Sequence, residues 1–436
     1  MLSSTHRDSI SPVRVDLPNQ IVLRWDSDAD CSGLLASGGV GAVWFPTPQP
    51  RIAAACRAAG ADTLDADSIR LVGRDYTGPL PPGDFLAVRA GLWPGARATA
   101  RNADGSFSGG ASQRAWIDAN GYLVPWTKAL FPDRAPLLAY LPDKDAGIGE
   151  GQAISYDSLE LALVDAWAAG GNYLLAPDAA YRNALLHGDP AAADAWSRLG
   201  RTAGWLKENR ELLRRPPLST ITLLVERGDA SAEIAALMFR HSVSPELVSA
   251  ERVPVPDASR RPIVVAAGTH PPTPDVGRRL LAHADAGATL VIDDGDASSW
   301  WKGPGAKATR RFEDRVFYAM GVGRILAYKE AIVDPGDFAQ DILDLAASRR
   351  PVRVFDASAV IAMVSRAGAR PGLTLRLVNY GSPTRGDIMA QVRGIYNSAT
   401  LLRPGLPPVA VRTWRRGENT DVVVPEFRRL SLVVLS

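Results

Sequence analysis

The sequence predicts an α/β fold built from parallel βα repeats, followed by a second α/β unit and by a small all-β part. Three observations indicate this order. A helix, a turn and a buried strand follow one another directly in residues 153–177, which is half of a βαβ repeat. Pro216 and Pro217 then interrupt the chain, after which the α/β pattern restarts. Beyond residue 352 the helical patterns disappear, and short β-branched runs alternate with Gly/Pro turns.

The helix predicted at residues 158–169 has the clearest start and end signals. Asp157 and Glu160 have the spacing of a capping box, in which the first side chain accepts from an early helical N–H and the second reaches back. Two glycines end the helix, and residues 172–176 form an apolar run typical of a strand buried on both faces. Because the helix is apolar nearly all round, we expect it to pack on more than one side.

Residues 1–20 are polar and contain two prolines, so they predict a loose N-terminal arm. The first α/β part, residues 21–215, contains five further candidate strands joined by right-handed crossovers. These strands are residues 21–26, 41–45, 69–73, 85–90 and 137–141. The predicted helices are residues 31–37, 52–59 and 122–130 and a long helix at 194–213. Between them, the polar, Gly- and Ser-rich residues 97–113 predict a long surface loop of the kind that borders a site.

Residues 218–350 alternate strands and helices in the order of an open, flavodoxin-like sheet. The strands are residues 221–225, 263–267 and 289–293, and the helices are residues 232–239, 275–286 and 335–348. Residues 352–436 predict a small β-sandwich. Its strands are residues 373–378, 388–392, 409–411, 421–424 and 430–435.

Composition and charge exclude several classes of partner. A net charge of +2, from 49 basic and 47 acidic residues, gives no field that attracts nucleic acid or an anionic membrane. The sequence has no apolar run long enough to span a bilayer and no signal peptide, so we expect a soluble protein, cytoplasmic or exported with its signal removed. Cys31 and Cys56 exclude a disulfide framework but leave a single bridge open. The histidines lack ligand spacing, so neither a metal nor a cofactor is predicted.

The order of these three parts resembles the large β-galactosidase-type glycoside hydrolases. The stretches that carry the resemblance are RWDSDAD, WIDANGY, YDSLELALVDAWAAGGNYLLA and, before the double proline, WLKENRELL. The resemblance implies a TIM-type α/β barrel in residues 21–215, cleavage of glycosidic bonds by a pair of carboxylates, and a homo-oligomer, trimer or dimer, whose contacts use the middle part. The barrel part is shorter than the about 250 residues typical of eight βα units, and no Glu stands plainly at the end of a fourth strand. Two functions therefore stay open: a glycoside hydrolase acting on an oligo- or polysaccharide, and a non-catalytic glycan-binding or scaffold protein on a reduced barrel.

Three carboxylates are the candidate catalytic groups. Asp26 follows the first strand, where barrel enzymes place their chemistry. The alternative interpretation is that Asp26 only holds the loop, while Asp28 or Asp30 caps the short helix at residues 31–37. Glu150 lies between two glycines, which allow a ligand to approach closely, and its alternative is a solvated loop carboxylate. Asp118 precedes a helix that it could instead cap.

Aromatic residues supply the predicted sugar-binding surface, because sugar rings present C–H faces that stack on aromatic planes. The candidates at strand ends or in loops, with one neighbouring amide, are Trp25, Trp44, Trp93, Trp116, Asn120 and Tyr122. Core packing is the alternative for each tryptophan. Trp301, next to Trp300 in an expected exposed loop, could complete the site or the interface of a neighbouring subunit.

The middle part also has the element order of class I glutamine amidotransferases. Those enzymes need a nucleophilic Cys on a strand-to-helix turn. The turn after the strand at residues 263–267 reads GTHPPTP and contains no such nucleophile, which excludes amidotransfer there.

Overall fold

The computed structural model describes most of the chain, and along it a parallel sheet, a mixed sheet and two antiparallel sheets follow one another. The described residues are 16, 19–74, 76, 85–89, 93–97, 116–140, 155–228, 230–257, 260–302, 305–357, 359–366, 372–381 and 386–436. For residues 96, 97 and 116 only the backbone is described.

The first sheet has the strand order of an α/β barrel. The first nine strands are β1 (Ile21–Arg24), β2 (Val40–Trp44), β3 (Asp62–Leu64), β4 (Ile69–Gly73), β5 (Phe85–Arg89), β6 (Gly95–Arg97), β7 (Trp116–Asp118), β8 (Leu137–Ala139) and β9 (Asn172–Leu175). Strands β6 and β7 form a separate hairpin, and the other seven pair in the order β3-β2-β1-β9-β8-β5-β4, all parallel. The first strand therefore lies beside the last, as in a barrel that is open between β3 and β4.

The two faces of this sheet confirm that it curls on itself. Side chains of one face form a cluster that contains strand residues alone, among them Val22, Ala42, Ala87 and Leu174. The opposite face packs against the helices. A face that packs only against other strands of its own sheet is the interior of a barrel. The predicted barrel is thus present as a seven-stranded one, and β3 is the strand that the sequence pattern missed.

The described residues of this part form six α-helices. They are α1 (Pro50–Ala58), α2 (Leu123–Leu130), α3 (Ser158–Ala168), α4 (Ala179–Leu186), α5 (Pro190–Glu208) and α6 (Arg210–Leu213). Asp178 and Asp189 cap α4 and α5, since their side chains accept from the backbone N–H of Tyr181 and Ala192 at 2.6 and 2.8 Å. The long helix predicted at residues 194–213 is divided into α5 and α6 at Asn209, and α5 begins at Pro190, four residues earlier than expected.

The capping box predicted for α3 is wrong. The helix begins at Ser158 as expected, but the Asp157 side chain makes no capping hydrogen bond. Instead Asp157 pairs with Arg198 and Arg428, each at 2.8 Å, and Glu160 accepts from Arg428 at 2.5 Å. Ion pairs with guanidinium groups of other elements replace the local hydrogen bonds, because a charged donor binds a carboxylate more strongly than a backbone N–H does.

The second sheet confirms the flavodoxin-like order. Its elements are β10 (Ile221–Val225), α7 (Ala230–Arg240), β11 (Glu246–Ser249), β12 (Ile263–Ala266), α8 (Pro274–Asp285), β13 (Thr289–Ile292), β14 (Lys307–Arg311), β15 (Arg315–Met320), β16 (Gly323–Tyr328) and α9 (Pro335–Leu345). The strand order is β11-β10-β12-β13-β16-β15-β14, whose first five strands are parallel. Strands β11, β14, β15 and β16 were not predicted.

The C-terminal part is the predicted β-sandwich. Its strands are β17 (Val352–Phe355), β18 (Val360–Arg366), β19 (Leu373–Asn379), β20 (Ile388–Arg393), β21 (Ala399–Arg403), β22 (Leu406–Ala410), β23 (Thr413–Arg416), β24 (Asn419–Val424) and β25 (Leu430–Leu435). They form the antiparallel sheets β17-β20-β24-β23 and β18-β19-β25-β21-β22. Buried side chains of both sheets share one core, for example Leu375 of β19 and Val422 of β24.

Arg376, in β19, joins the sandwich to the barrel. Its side chain is fully buried and donates to the carbonyl oxygens of Ala168 and Leu213 at 2.7 and 2.6 Å. These residues end α3 and α6, where unpaired carbonyl groups carry partial negative charge. Burial lowers the pKa of Arg376 to about 10. A cation between two helix ends therefore fixes the sandwich against the barrel.

The described residues also answer the expectations about membrane spans and the two cysteines. No helix among them is both long and apolar enough to cross a bilayer. The two cysteines are buried free thiols with their sulfur atoms 3.6 Å apart.

Candidate functional site

The carboxyl end of β1 places an ion pair at the mouth of the barrel. Val22 faces the barrel interior and Leu23 the helices, so strand alternation turns Arg24 inward. The Arg24 guanidinium holds Asp26 with two contacts, Nη2 to Oδ2 at 2.9 Å and Nε to Oδ1 at 3.1 Å. It also lies over the ring of Trp44 from β2, with Cζ 5.6 Å from the ring centroid. A carboxylate is thereby oriented where barrel enzymes place their chemistry.

A second carboxylate follows β3 at the same edge. The Trp44 indole donates to the backbone carbonyl of Asp65 at 2.8 Å. The Asp65 side chain is exposed and accepts from the Ser68 hydroxyl at 2.5 Å. Sequence reasoning missed Asp65 because it missed β3. No sequence signal marked β3, because its three residues are too few to show a strand period and the strand predicted at residues 69–73 already satisfied the βα alternation.

Arg89 adds another charged group to the inner face. It ends β5 two residues after Ala87, whose side chain belongs to the inner cluster, so alternation turns Arg89 inward as well. Arg89 is partly exposed. The mouth therefore combines two guanidinium groups with exposed carboxylates, a surface that suits the hydroxyl groups of a polar ligand.

Asp28 and Asp30 hold the loop after β1. Asp28 accepts from the side-chain amide of Gln49 at 2.6 Å. Asp30 accepts from the backbone N–H of Ser32 at 2.9 Å, at the start of a short 3₁₀ helix, Ser32–Leu34. Of the two, only Asp30 bonds a backbone N–H at the start of this helix, and it does so from the position before the N-cap residue, Cys31. The loop that carries Asp26 is thus anchored on both sides.

Several predicted sugar-binding residues lie on the helix side of the sheet. Trp25 is buried and donates to the carbonyl of Ala29 at 2.8 Å. Trp93 stacks on Tyr140 with ring centroids 4.8 Å apart, and Asn120 donates to the Tyr140 hydroxyl at 2.6 Å. Tyr122 is buried and accepts from Arg74 at 2.9 Å. Trp25, Trp93 and Tyr122 therefore belong to the core on the helix side of the sheet, whereas Trp44 belongs to the cluster on the inner face.

The remaining candidates are separated from the mouth or lie outside the described residues. Asp118 is buried, 3.9 Å from Arg240 of α7, so it faces the flavodoxin-like part. Trp301 was expected in an exposed loop, but it is 2% exposed and packs edge-on against Tyr318. Trp116 belongs to β7 by its backbone. Glu150 lies outside the described residues.

Among the described residues of the barrel part, Asp165 in α3 is a buried carboxyl group with a raised pKa. It is fully buried and accepts from the backbone N–H of Asn120 at 2.8 Å, from that of Gly121 at 3.1 Å and from the Tyr380 hydroxyl at 2.5 Å. Burial raises its pKa to about 6, although all three hydrogen bonds favour the charged form. A substrate cannot reach this carboxyl group, so its role is to join α3 to the sandwich.

Comparison with known proteins relates this architecture to enzymes. The sequence matches no family model and no curated protein. The structure is similar to α-L-fucosidase isoenzyme 2 from Paenibacillus thiaminolyticus, with a TM-score of 0.58 and 8% identity over 96% of this chain and 99% of that one. The β-galactosidase from Bacillus circulans sp. alkalophilus gives a TM-score of 0.52 and 9% identity, over 81% and 60% of the two chains. For the β-galactosidase from Rahnella sp. R3 the TM-score is 0.50 with 10% identity, over 86% and 65%.

The chain shares its fold with these three enzymes. Both the curled parallel sheet and the C-terminal β sheets are shared with these enzymes, which confirms the resemblance expected from the order of the parts. The chain spans nearly the whole fucosidase but only 60% and 65% of the two β-galactosidases. At identities of 8–10% the similarity concerns the fold. The site must therefore be argued from its own residues.

Proposed function

We propose that the protein is a glycoside hydrolase that cleaves an oligo- or polysaccharide at the mouth of the barrel. The observation that carries the proposal is the Arg24–Asp26 pair over Trp44 at the carboxyl ends of β1 and β2. In barrel enzymes the chemistry lies at this edge of the sheet. The fold that the chain shares with the fucosidase supports the same reaction class.

Asp26 is the proposed first carboxylate of the catalytic pair. Glycoside hydrolysis needs a second carboxyl group across the scissile bond, about 5 Å away for retention and about 6.5 to 9.5 Å for inversion. Glu150 is the proposed second group, because flanking glycines leave its side chain free to turn toward a substrate. Asp65 is the alternative, since Trp44 links its backbone to the same edge. The buried position of Asp118 beside Arg240 favours a structural role for that residue.

The proposed sugar contacts follow from the same placement. The Arg24 guanidinium covers the ring of Trp44, which is buried, so Arg24 and the more exposed Asp26 are the groups that a sugar would contact. Arginine and carboxylate side chains bind the vicinal hydroxyl groups of sugars through paired hydrogen bonds. Trp25, Trp93, Asn120 and Tyr122 act in this proposal as the packed support behind the mouth.

A non-catalytic glycan-binding protein is the second candidate. One observation favours it: both oxygens of Asp26 are held by Arg24, which limits the carboxylate as a nucleophile or base until a substrate displaces that contact. Such a protein would bind sugars at the same surface without cleaving them.

Turnover measurements on single carboxylate variants test the proposal. The wild-type protein is screened against aryl glycosides and oligosaccharides with product analysis, and Asp26→Asn and Glu150→Gln are then compared on a cleaved substrate. Loss of a catalytic carboxyl group lowers turnover by roughly 10²- to 10⁴-fold. Asp67→Asn, an exposed turn residue near Asp65, is the matched control and keeps wild-type turnover. Full activity in Asp26→Asn refutes the assignment, and sugar binding without any cleavage supports the second candidate.

A further inference from the structure

A large cleft separates the barrel helices from the β-sandwich. Its volume is about 590 Å³. One wall comes from α3 and α5, and the other comes from the turn between β21 and β22 and from the segment that leads into β25. Its polar lining residues include Glu160, Arg198, Arg201, Arg403, Arg428 and Arg429. The loop that contains Glu150 precedes α3 and lies outside the described residues.

Two of the arginines are neutralised by carboxylates. Arg198 pairs with Asp157 at 2.8 Å, and Arg428 pairs with Asp157 at 2.8 Å and with Glu160 at 2.5 Å. Thr202 donates to the other oxygen of Glu160 at 2.8 Å. These contacts join the two walls of the cleft. Both oxygens of the buried Glu160 carboxylate are occupied by them.

Three other arginines of the cleft have no carboxylate partner within the described residues. Arg403 donates to the backbone carbonyl of Glu426 at 2.7 Å, and Arg429 donates to that of Gly381 at 2.7 Å. For Arg201, which is exposed, the described part of the chain offers no side-chain hydrogen bond or ion pair. The Glu426 carboxylate lines the cleft too, but no ion pair among described residues joins it to these arginines.

Arg429 is the least favourably placed of the three. Burial and the neighbouring Arg428 guanidinium lower the pKa of Arg429, and they outweigh the Glu160 and Asp157 carboxylates, which act to raise it. Its Nε atom, like that of Arg403, is buried without a hydrogen-bond acceptor in the described residues. An N–H group of a buried guanidinium that lacks an acceptor is costly, and the Arg428 charge beside it adds to the cost to the extent that Asp157 and Glu160 leave it uncompensated. An anion in the cleft would relieve both effects.

We propose that this cleft binds an oligosaccharide that carries carboxylate groups. Guanidinium groups bind carboxylates with two parallel hydrogen bonds, which matches three arginines around one cavity. The volume exceeds by far the about 30 Å³ share of a single water molecule, so the cleft has room for a ligand much larger than a small ion. Leu406, which is exposed, shares the lining and offers apolar contact to sugar C–H groups. The sugar part of this assignment rests on the proposed function.

Isothermal titration calorimetry with three probes tests the proposal: trigalacturonate, neutral maltotriose and inorganic sulfate. We expect trigalacturonate to bind more tightly than maltotriose, and its affinity to fall as ionic strength rises. Arg201→Ala and Arg429→Gln should each weaken trigalacturonate binding by roughly tenfold or more. Arg412→Ala removes an exposed arginine of the same sandwich outside the cleft and should leave the affinity unchanged.

Each result decides the proposal. Unchanged trigalacturonate affinity in both cleft variants overturns it, and so does binding of sulfate without binding of trigalacturonate. If Asp26→Asn rather than the cleft variants abolishes binding, the acidic sugar binds at the barrel mouth and the cleft assignment is wrong. Arg201 is exposed, so its variant tests the cleft even if Arg429→Gln fails to fold, which circular dichroism would show. Calorimetry requires no cleavage. If the protein cleaves no substrate but binds trigalacturonate through Arg201, the proposed hydrolase function is wrong and the proposed binding cleft is supported.

Discussion

Replacing Asp165 by Asn should change how the stability of the protein depends on pH. The Asp165 carboxyl group is fully buried between α3, the Asn120 and Gly121 backbone, and Tyr380 of the sandwich. Burial raises its pKa from the ordinary 3.8 to about 6. Asn has nearly the same shape but no titrating proton, so the variant removes this contribution.

The sign of the effect follows from proton binding in the two states. Between about pH 4 and about pH 6 the folded protein keeps a proton that the unfolded chain has already released. The contribution of Asp165 to the free energy of unfolding is therefore largest at low pH and falls as pH rises through this window. A difference of about two pKa units corresponds to about 3 kcal/mol. Relative to Asp165→Asn, the wild-type protein should lose about this much stability between about pH 4 and about pH 7.

Urea unfolding followed by tryptophan fluorescence measures this difference at several pH values across that window. Asp157→Asn is a control variant, because the contribution of Asp157 to stability should change with pH in the opposite direction. Burial acts to raise the pKa of Asp157, but hydrogen bonds from Arg198 and Arg428 outweigh it and lower the pKa. Asp157 therefore contributes stability at neutral pH that is lost as pH falls through its folded-state pKa. A wild-type-to-Asp165→Asn difference that stays constant, or that grows with pH, would refute the reasoning.

Three further predictions concern packing and assembly. Arg376→Met leaves helix-end carbonyl groups buried without a donor and should lower the free energy of unfolding in urea by roughly 3 kcal/mol or more. Arg412→Met on the surface should change it very little. Equal effects of the two variants would contradict the proposed role of Arg376 in joining the sandwich to the barrel. Gly200→Ala places a Cβ atom against the backbone oxygen of Ser37 and should destabilise by about 1–3 kcal/mol. Gly204→Ala, in the same helix with open space around it, should instead stabilise by about 0.5–1 kcal/mol, and a gain at both positions would disprove the clash. The protein should form a trimer or dimer through its flavodoxin-like part, which light scattering at micromolar concentration checks; a monomer there contradicts the expectation.

Local sequence patterns determined the order and type of most elements. Alternating βα repeats, the double proline and the late β-branched runs predicted the barrel, the flavodoxin-like sheet and the sandwich, because side-chain periodicity and turn residues act over a few positions. Strand alternation after residue 21 also placed Asp26 at the end of β1. The pattern failed for β3, whose three residues, Asp62–Leu64, are too few to show a period. With that strand, Asp65 was lost as a candidate.

Only the tertiary structure decided the partners of charged and aromatic side chains. Asp157 and Glu160 have the spacing of a capping box, yet Glu160 binds Arg428, which lies 268 positions away in the chain. Trp25 and Trp44 stand at the ends of neighbouring strands, but one packs on the helix side and the other in the barrel interior. Spacing in the sequence fixes which local hydrogen bonds are available, whereas a buried charge takes the strongest partner that the complete fold brings within reach.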